Sequence, residues 1–230
     1  ASAQVKSALL LAALGAPGRS RIVQDTLTRD HTEKMLAAFG ADVSIEPLDK
    51  GEAIQVTGEV ELVPCNVEVP RDPSSAAFAI VAGLIVPGSV VNIPSILLNS
   101  RRTGFIKTLI EMGADIVIEN EHESGGETIG DLRVRASPLR GVEVPPDRAP
   151  SMIDEYPILA VAAAFAEGKT EMHGLDELRV KESDRLAAIA AGLSANGLIV
   201  SETSDSLTIE GRGIDGVPGG TDAYFDHFDE

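Results

Sequence analysis

The sequence predicts an α/β protein made of repeated small units in which helices pack against sheets. Three stretches share one order of patterns: an apolar helix, a turn, a strand, a second helix, a glycine and further strands. The matching glycines, Gly40, Gly113 and Gly197, follow the second helices, where glycine typically ends a helix. Their spacing exceeds the repeat length of solenoids, about 20–50 residues. The pattern therefore indicates compact α/β modules.

The first unit is predicted to hold helices at residues 5–14 and 31–39. Its strands are expected at residues 21–24, from residue 43, near 54–57 and at 65–69. The early apolar block, which carries a single lysine, resembles a secretory signal, but similar blocks recur later in the chain. A run of about 18 apolar residues, which a membrane span needs, does not occur. We therefore expect no membrane partner.

The second and third units repeat this order. Helices are predicted at residues 75–85, 101–112, 152–166 and 181–195, and strands at 89–93, from 115, and at 132–136, 142–144, 170–173, from 198 and 206–210. The first helix of each unit is apolar nearly all round, which predicts burial. Residues 120–131, rich in Glu and Gly, are expected to form a hairpin-like loop.

Composition limits the possible partners. Acidic residues outnumber basic ones 36 to 19 and the net charge is −17, which disfavours nucleic acid as a partner. Against this acidic background, Arg101-Arg102 stands out at a predicted helix start, where the helix dipole disfavours cations. The pair is expected either to bind a small anion or to lie at the surface.

Cys65 is the only cysteine, so no disulfide can form within the chain, and this suits a reducing cytoplasm. Its apolar, strand-like surroundings predict a plain buried thiol. The four histidines are scattered without ligand spacing. The sequence therefore predicts neither a metal site nor a cofactor.

The segment from Asp176 to Arg185 crowds acidic and basic groups into a predicted helix start. On a helix, Lys181 and Arg185 are four residues apart and share a face, with Glu182 beside them. Such a face would hold a proton-carrying carboxylate next to two cations that can receive an anion. A solvated helix start with ordinary salt bridges stays open as the alternative.

Other helix starts are also candidate sites. Ser2 can cap the first helix, whose N-terminus would attract an anion. Arg29 faces either a ligand or solvent, and Asp72 begins a strong capping motif. Asp154 lies at the mouth of a buried helix, where its charge suits the dipole and its pKa can be tuned for base chemistry.

Five of these segments together resemble the 5-enolpyruvylshikimate-3-phosphate synthase family, and most closely its class II bacterial branch. They read SAQVKS from Ser2, TRDHTE from Thr28, DPSS from Asp72, APSMIDEYP from Ala149 and DELRVKESDR from Asp176. The resemblance implies the enolpyruvyl transferase fold, with two domains of three βαβαββ units each. Residues 1–70 would then be the last unit of one domain, residues 71–220 two units of the other, and residues 221–230 an atypical tail.

The resemblance also implies an activity: transfer of the enolpyruvyl group of phosphoenolpyruvate to the 5-hydroxyl of shikimate 3-phosphate, with release of phosphate. Both substrates are anionic, and glyphosate would be a further ligand of the class. By position, Asp154 matches the base, Lys181 a substrate-contacting proton shuttle and Glu182 the acid.

The remaining matches concern binding. By the same resemblance, Arg185 matches a phosphoenolpyruvate-binding arginine and Arg29 matches a residue that lines the shikimate phosphate pocket. Ser2, Ala3 and Gln4 match the turn that binds the phosphate and the ring.

The chain also departs from the family. The family's other lysine and arginine contacts would lie outside these residues. After Asp226-His227 the chain does not continue with the family's Arg-Ile-Ala-Met. We therefore expect an internal fragment that needs the missing remainder of the enzyme as a partner for catalysis.

Two alternatives stay open. One is the related enolpyruvyl transferase acting on a UDP-amino sugar, which is expected to use a cysteine acid in a mobile loop, and the run from Lys181 to Arg185 argues against it. The other is a non-catalytic repeat module that binds a partner.

Overall fold

The computed structural model describes residues 2–214. The helices are α1 (Ala3–Leu14), α2 (His31–Ala38), α3 (Pro73–Ile85), α4 (Gly104–Glu111), α5 (Tyr156–Ala164) and α6 (Arg185–Ala195). The strands are β1 (Arg19–Gln24), β2 (Val43–Pro47), β3 (Glu52–Thr57), β4 (Val90–Leu97), β5 (Asp115–Ser124), β6 (Glu127–Arg135), β7 (Leu139–Arg140), β8 (Glu143–Val144), β9 (Ala166–His173), β10 (Ile199–Glu202) and β11 (Ser206–Arg212). Short 3-10 helices cover Pro146–Ser151, Ile153–Glu155 and Asp176–Val180.

The predicted repetition is confirmed by the sheet topology. Each unit contributes three antiparallel strands, and the last of the three lies in the middle: β1-β3-β2, β4-β6-β5 and β9-β11-β10. In the third unit β7 and β8 add to β9 in parallel, and in the second Arg71 forms a parallel bridge to Ile96 of β4. The chain is therefore an α/β protein of repeated units.

The same helix ending recurs in all three units. Gly40, Gly113 and Gly197 have φ of +83°, +94° and +79°. Beyond each glycine a backbone N–H donates to a carbonyl five residues earlier: Ala41 to Leu36, Ala114 to Leu109 and Leu198 to Leu193. This Schellman pairing satisfies the free carbonyls of a helix end and turns the chain into the next strand.

The interior is divided between two hydrophobic clusters. The smaller one joins α1, α2 and the first sheet through Leu10, Leu36 and Ile54. The larger one lies between the helices and sheets of the second and third units, where Tyr156 and Phe105 are among its largest buried side chains. Within residues 2–214 no helix is long and apolar enough to cross a membrane.

The expected burial of the first helices is only partly right. In α5 most side chains are buried, as predicted. In α1, however, Leu10 and Ala13 face the sheet while Val5 and Leu9 are 60% and 51% exposed. An all-apolar helix buries every face only when elements cover every face, and in this structure α1 packs chiefly on one side.

Three other local predictions were wrong. Residues 120–131 are mostly strand, because β5 and β6 pair almost to their ends and turn at Gly125-Gly126. Residues 65–69 form no strand, and Cys65 is exposed rather than buried. Helix α4 begins at Gly104 rather than at residue 101, since Arg101 and Arg102 lie in the preceding turn. The predicted tail, residues 221–230, lies outside the described residues.

Candidate active site

Asp154 lies on the short 3-10 turn Ile153–Glu155, directly ahead of α5. Met152, whose φ of −156° no helix allows, separates this turn from the preceding 3-10 helix Pro146–Ser151, and Pro157 sets the first turn of α5. The side chain of Asp154 is 37% exposed. The turn therefore presents a solvent-accessible carboxylate at the mouth of a buried helix, as the sequence predicted.

Three cations surround the Asp154 carboxylate. Arg29 Nη2 donates to its Oδ2 at 3.1 Å, while Arg185 Nη1 and Lys181 Nζ lie 3.6 and 3.9 Å from its Oδ1. They come from the first unit, from the start of α6 and from the segment between the 3-10 helix and α6. Three cations therefore converge on one carboxylate, and guanidinium and ammonium groups of this kind are the usual partners of carboxylates and phosphates.

The predicted geometry of the segment from Lys181 to Arg185 was wrong, although the residues do converge. A helix was expected from residue 181, but α6 begins at Arg185, where the Asp184 carboxylate accepts the N–H of Ala187. Lys181 is in an extended conformation that ends the 3-10 helix Asp176–Val180. Lys181 and Arg185 therefore do not share a helix face, and they meet because both point to Asp154.

Two carboxylates also hold these cations. Glu182 accepts Arg185 Nη2 at 2.6 Å, and Glu177 lies 2.8 Å from Lys181 Nζ. A hydrogen bond from its own backbone N–H and another from Arg185 hold the pKa of Glu182 below its usual range. In this arrangement Glu182 is ionised at neutral pH, so the acid role that the resemblance implies requires a proton to reach it first.

The first turn of α1 lies beside the Arg29 loop. Ser2 caps α1 by accepting the N–H of Val5 at 3.3 Å, as predicted, and Ala3 and Gln4 form the first turn. Lys6, one turn further, donates to the carbonyl of Arg29 at 2.8 Å. Within residues 2–214, Ser2, Ala3 and Gln4 make no side-chain hydrogen bond to the Asp154 cluster.

Sequence reasoning missed the buried ion pair of Lys6 and Glu33. Their charged atoms lie 2.5 Å apart and both side chains are almost fully buried. The Glu33 oxygens accept no well-angled hydrogen bond from the described residues, so the contact is mainly ionic. A lysine inside an apolar helix was the available signal, because a buried charge requires a partner.

A polar chain behind Asp154 was also missed. Glu155 is 3% exposed and accepts a hydrogen bond from Ser74, which in turn accepts one from Arg102 at 2.8 Å. Burial raises the pKa of Glu155 against the opposing effects of Ser74 and Arg102. This chain ties the turn that carries Asp154 to the start of α3.

Arg101 and Arg102, considered above for an anionic ligand, are both occupied by carboxylates of the chain. Arg101 Nη2 lies 2.8 Å from Glu52 Oε2, and Arg102 Nη2 lies 2.7 Å from Asp72 Oδ1. The helix dipole does not oppose them, because α4 starts only after them. Asp72 itself caps α3 through the N–H of Ser75, as predicted.

The chain matches known proteins along almost its whole length. The family described as EPSP synthase (3-phosphoshikimate 1-carboxyvinyltransferase) matches residues 1–227. Curated proteins named 3-phosphoshikimate 1-carboxyvinyltransferase from Parvibaculum lavamentivorans and a Methylobacterium species are 58% and 60% identical over 99% of the chain. The chain spans about half the length of these relatives, 51% in each case.

Solved structures agree with this match. The EPSP synthase of Acinetobacter baumannii superposes with a TM-score of 0.87 and 46% identity, covering 93% of this chain and 47% of that one. The enolpyruvyl transferase NikO from Streptomyces tendae superposes with a TM-score of 0.63 at 21% identity over 90% of this chain and 45% of its own, which shows a shared fold. The chain therefore belongs to the EPSP synthase family and has its enolpyruvyl transferase fold.

Proposed function

We propose that this chain supplies one part of an active site that transfers the enolpyruvyl group of phosphoenolpyruvate to the 5-hydroxyl of shikimate 3-phosphate. The observation that carries the proposal is the Asp154 carboxylate among Arg29, Lys181 and Arg185. Both substrates are polyanions, and cations from three separate segments converge where such ligands would need them.

Asp154 is the proposed base. Its carboxylate is partly exposed and is held by charged partners that ligands can replace. Taking the proton of the 5-hydroxyl would make that oxygen nucleophilic toward the substituted carbon of phosphoenolpyruvate. Arg29, which the resemblance matches to a residue of the shikimate phosphate pocket, would then leave Asp154 and contact the phosphate of shikimate 3-phosphate.

The methylene carbon must gain a proton during addition and lose one when phosphate leaves, because the product keeps the enolpyruvyl double bond. We propose Lys181 and Glu182 for this exchange. Lys181 Nζ lies 3.9 Å from Asp154, so Lys181 can relay the proton taken from the 5-hydroxyl to Glu182, the next residue, which gives a proton to the methylene carbon and takes one back as phosphate leaves. Arg185, beside Glu182, is proposed to hold phosphoenolpyruvate.

The proposal includes the surroundings of the site. Residues 1–70 and 71–220 are proposed to belong to two domains, with the remainder of the enzyme as a partner, and the two separate hydrophobic clusters support that division. Glyphosate, also an anion, is proposed as a competing ligand of the same cations. A cytoplasmic location is proposed from the single cysteine.

Calorimetry on the 230-residue chain tests the proposal. Shikimate 3-phosphate should bind, and Arg29→Gln should weaken binding by about tenfold, the loss of one charged contact. The matched control Arg19→Gln removes an exposed arginine that pairs with Asp42 and should change nothing.

Two results would contradict the proposal. Preferential binding of a UDP-amino sugar would favour the related transferase, and binding of neither ligand by folded chain would favour a non-catalytic module. Phosphate release is expected only after the chain is mixed with the complementary half of a relative.

A further inference from the structure

Arg101 reaches from the second unit into the first. Its guanidinium donates to both oxygens of Glu52, at 2.8 Å each, and to the carbonyl of Thr28 at 2.7 Å. Its Nε lies 3.4 Å from Asp30 Oδ2. The side chain is 20% exposed and Glu52 only 6%, so these contacts are shielded from water. One planar group thus holds three residues of the neighbouring unit.

Two of those residues flank Arg29. Thr28 precedes it and Asp30 follows it, and the carbonyl of Arg29 itself accepts Lys6 Nζ. Asn99, two residues before Arg101, donates to Asp30 Oδ1 at 2.7 Å. Charged or amide donors therefore hold the Thr28 carbonyl, the Arg29 carbonyl and the Asp30 side chain, while the guanidinium of Arg29 extends to Asp154.

The partner of Arg101 is itself fixed. Glu52 accepts Gln24 at 2.5 Å, and Gln24 accepts the hydroxyl of Thr28 at 2.8 Å. The hydrogen bond from Arg101 is the main reason that the pKa of Glu52 falls below its usual range. The Thr28 loop, the start of β3 and the turn before α4 thereby form one ionised network that joins the two units.

We propose that Arg101 is a positioning residue that holds the segment from Thr28 to Asp30 and thereby places Arg29 against Asp154. It makes no contact with Asp154, Lys181 or Arg185 in the described structure, so its effect passes through Arg29. The ligand part of this inference rests on the proposed function. A lysine would substitute poorly, because its single ammonium cannot grip both Glu52 oxygens and the Thr28 carbonyl as a planar fork does.

Amide hydrogen exchange tests the inference without any ligand. The N–H of Lys34 donates to the carbonyl of Asp30 and reports on this segment. In Arg101→Gln it should exchange about tenfold faster, whereas amides of β6 should exchange as in the wild type. Arg21→Gln, which removes an exposed arginine paired with Glu46 in the first unit, is the matched control.

A double-mutant cycle on the affinity for shikimate 3-phosphate tests the route through Arg29. Arg101→Gln should weaken binding about tenfold in the wild-type background and have no further effect in Arg29→Gln. Arg101→Lys should show a loss of affinity between those of the wild type and Arg101→Gln. If Arg101→Gln does not fold, Arg101→Lys takes its place in the cycle.

Equal losses in both backgrounds, or wild-type affinity in Arg101→Gln, would overturn the inference. Unchanged exchange at Lys34 would overturn it even if the wild type bound no shikimate 3-phosphate. Absence of ligand binding together with faster exchange at Lys34 would refute the proposed function and leave Arg101 as the residue that fixes this segment.

Discussion

The partly exposed Asp154 carboxylate is contacted by cations from three segments. The contacts with Arg185 and Lys181, at 3.6 and 3.9 Å, are longer than ideal ion pairs, so a ligand can displace them at low cost. The contact with Arg29 is a hydrogen bond at 3.1 Å. The Asp154 carboxylate thus holds three cations from separate segments close together.

Arg185 and Glu182 should affect different kinetic constants in a full-length enzyme that carries this chain. Arg185→Ala should raise the KM for phosphoenolpyruvate more than the KM for shikimate 3-phosphate, because it would remove the proposed ground-state contact with phosphoenolpyruvate. Glu182→Gln should mainly lower kcat, because it would remove the proposed proton-transfer group. If steady-state kinetics stayed unchanged and only thermal stability fell, these residues would form a structural salt bridge.

Glu155 should make folding stability depend on pH. Burial raises its pKa above the ordinary 4.5, so its stabilising contribution is complete below pH 4.5 and is lost as the pH rises through the folded-state pKa. Glu155→Gln stays neutral and should lack this loss. Urea unfolding of both proteins across that window measures the difference, and parallel pH curves would show that Glu155 is ionised in the fold without penalty.

Much of the site could be predicted from local sequence, and its supports could not. Asp154, Lys181 and Arg185 lie in conspicuous motifs, so they could be named as candidates from sequence, although their convergence on one carboxylate required the structure. Arg101 contacts Glu52, which is 49 residues away in the sequence, and Ser74 contacts Glu155, which is 81 residues away. Such contacts depend on how units pack, which local patterns do not encode.

At the element scale, the glycines that follow helices predicted the helix ends most accurately. Gly40, Gly113 and Gly197 were predicted as helix ends and have the left-handed conformation that the role requires. Helix starts were less predictable, because Arg101 and Lys181 continue an apparently helical pattern. Asp184 overrides that pattern for α6, since its side chain caps the helix.

Gly40→Ala should lower the free energy of unfolding by about 1–2 kcal/mol, the cost of a left-handed conformation for an L-residue. A steric clash does not cause this loss, because the added Cβ would lie 3.5 Å from Val63, which is an ordinary van der Waals contact. Gly15 ends α1 with a φ of −91°, so Gly15→Ala is the control and should cost nothing. Equal effects in denaturant unfolding would contradict this explanation.

At the scale of the whole molecule, the repeat predicted from sequence is also the repeat of the structure. The three sheets share one strand order, and the candidate site forms where residues of different units meet. Arg29 of the first unit faces Asp154 of the third, so neither segment holds the site alone. The sequence could show that the units are alike, whereas their mutual packing required the structure.

The central claim is that Asp154 acts as the base for an enolpyruvyl transfer. The most direct measurement is phosphate release from phosphoenolpyruvate and shikimate 3-phosphate by a chimera in which this chain replaces the matching half of the Parvibaculum lavamentivorans relative. The chimera should turn over, and Asp154→Asn should lower its kcat by at least about 10²-fold while circular dichroism stays unchanged. A folded Asp154→Asn chimera with wild-type turnover would contradict the claim.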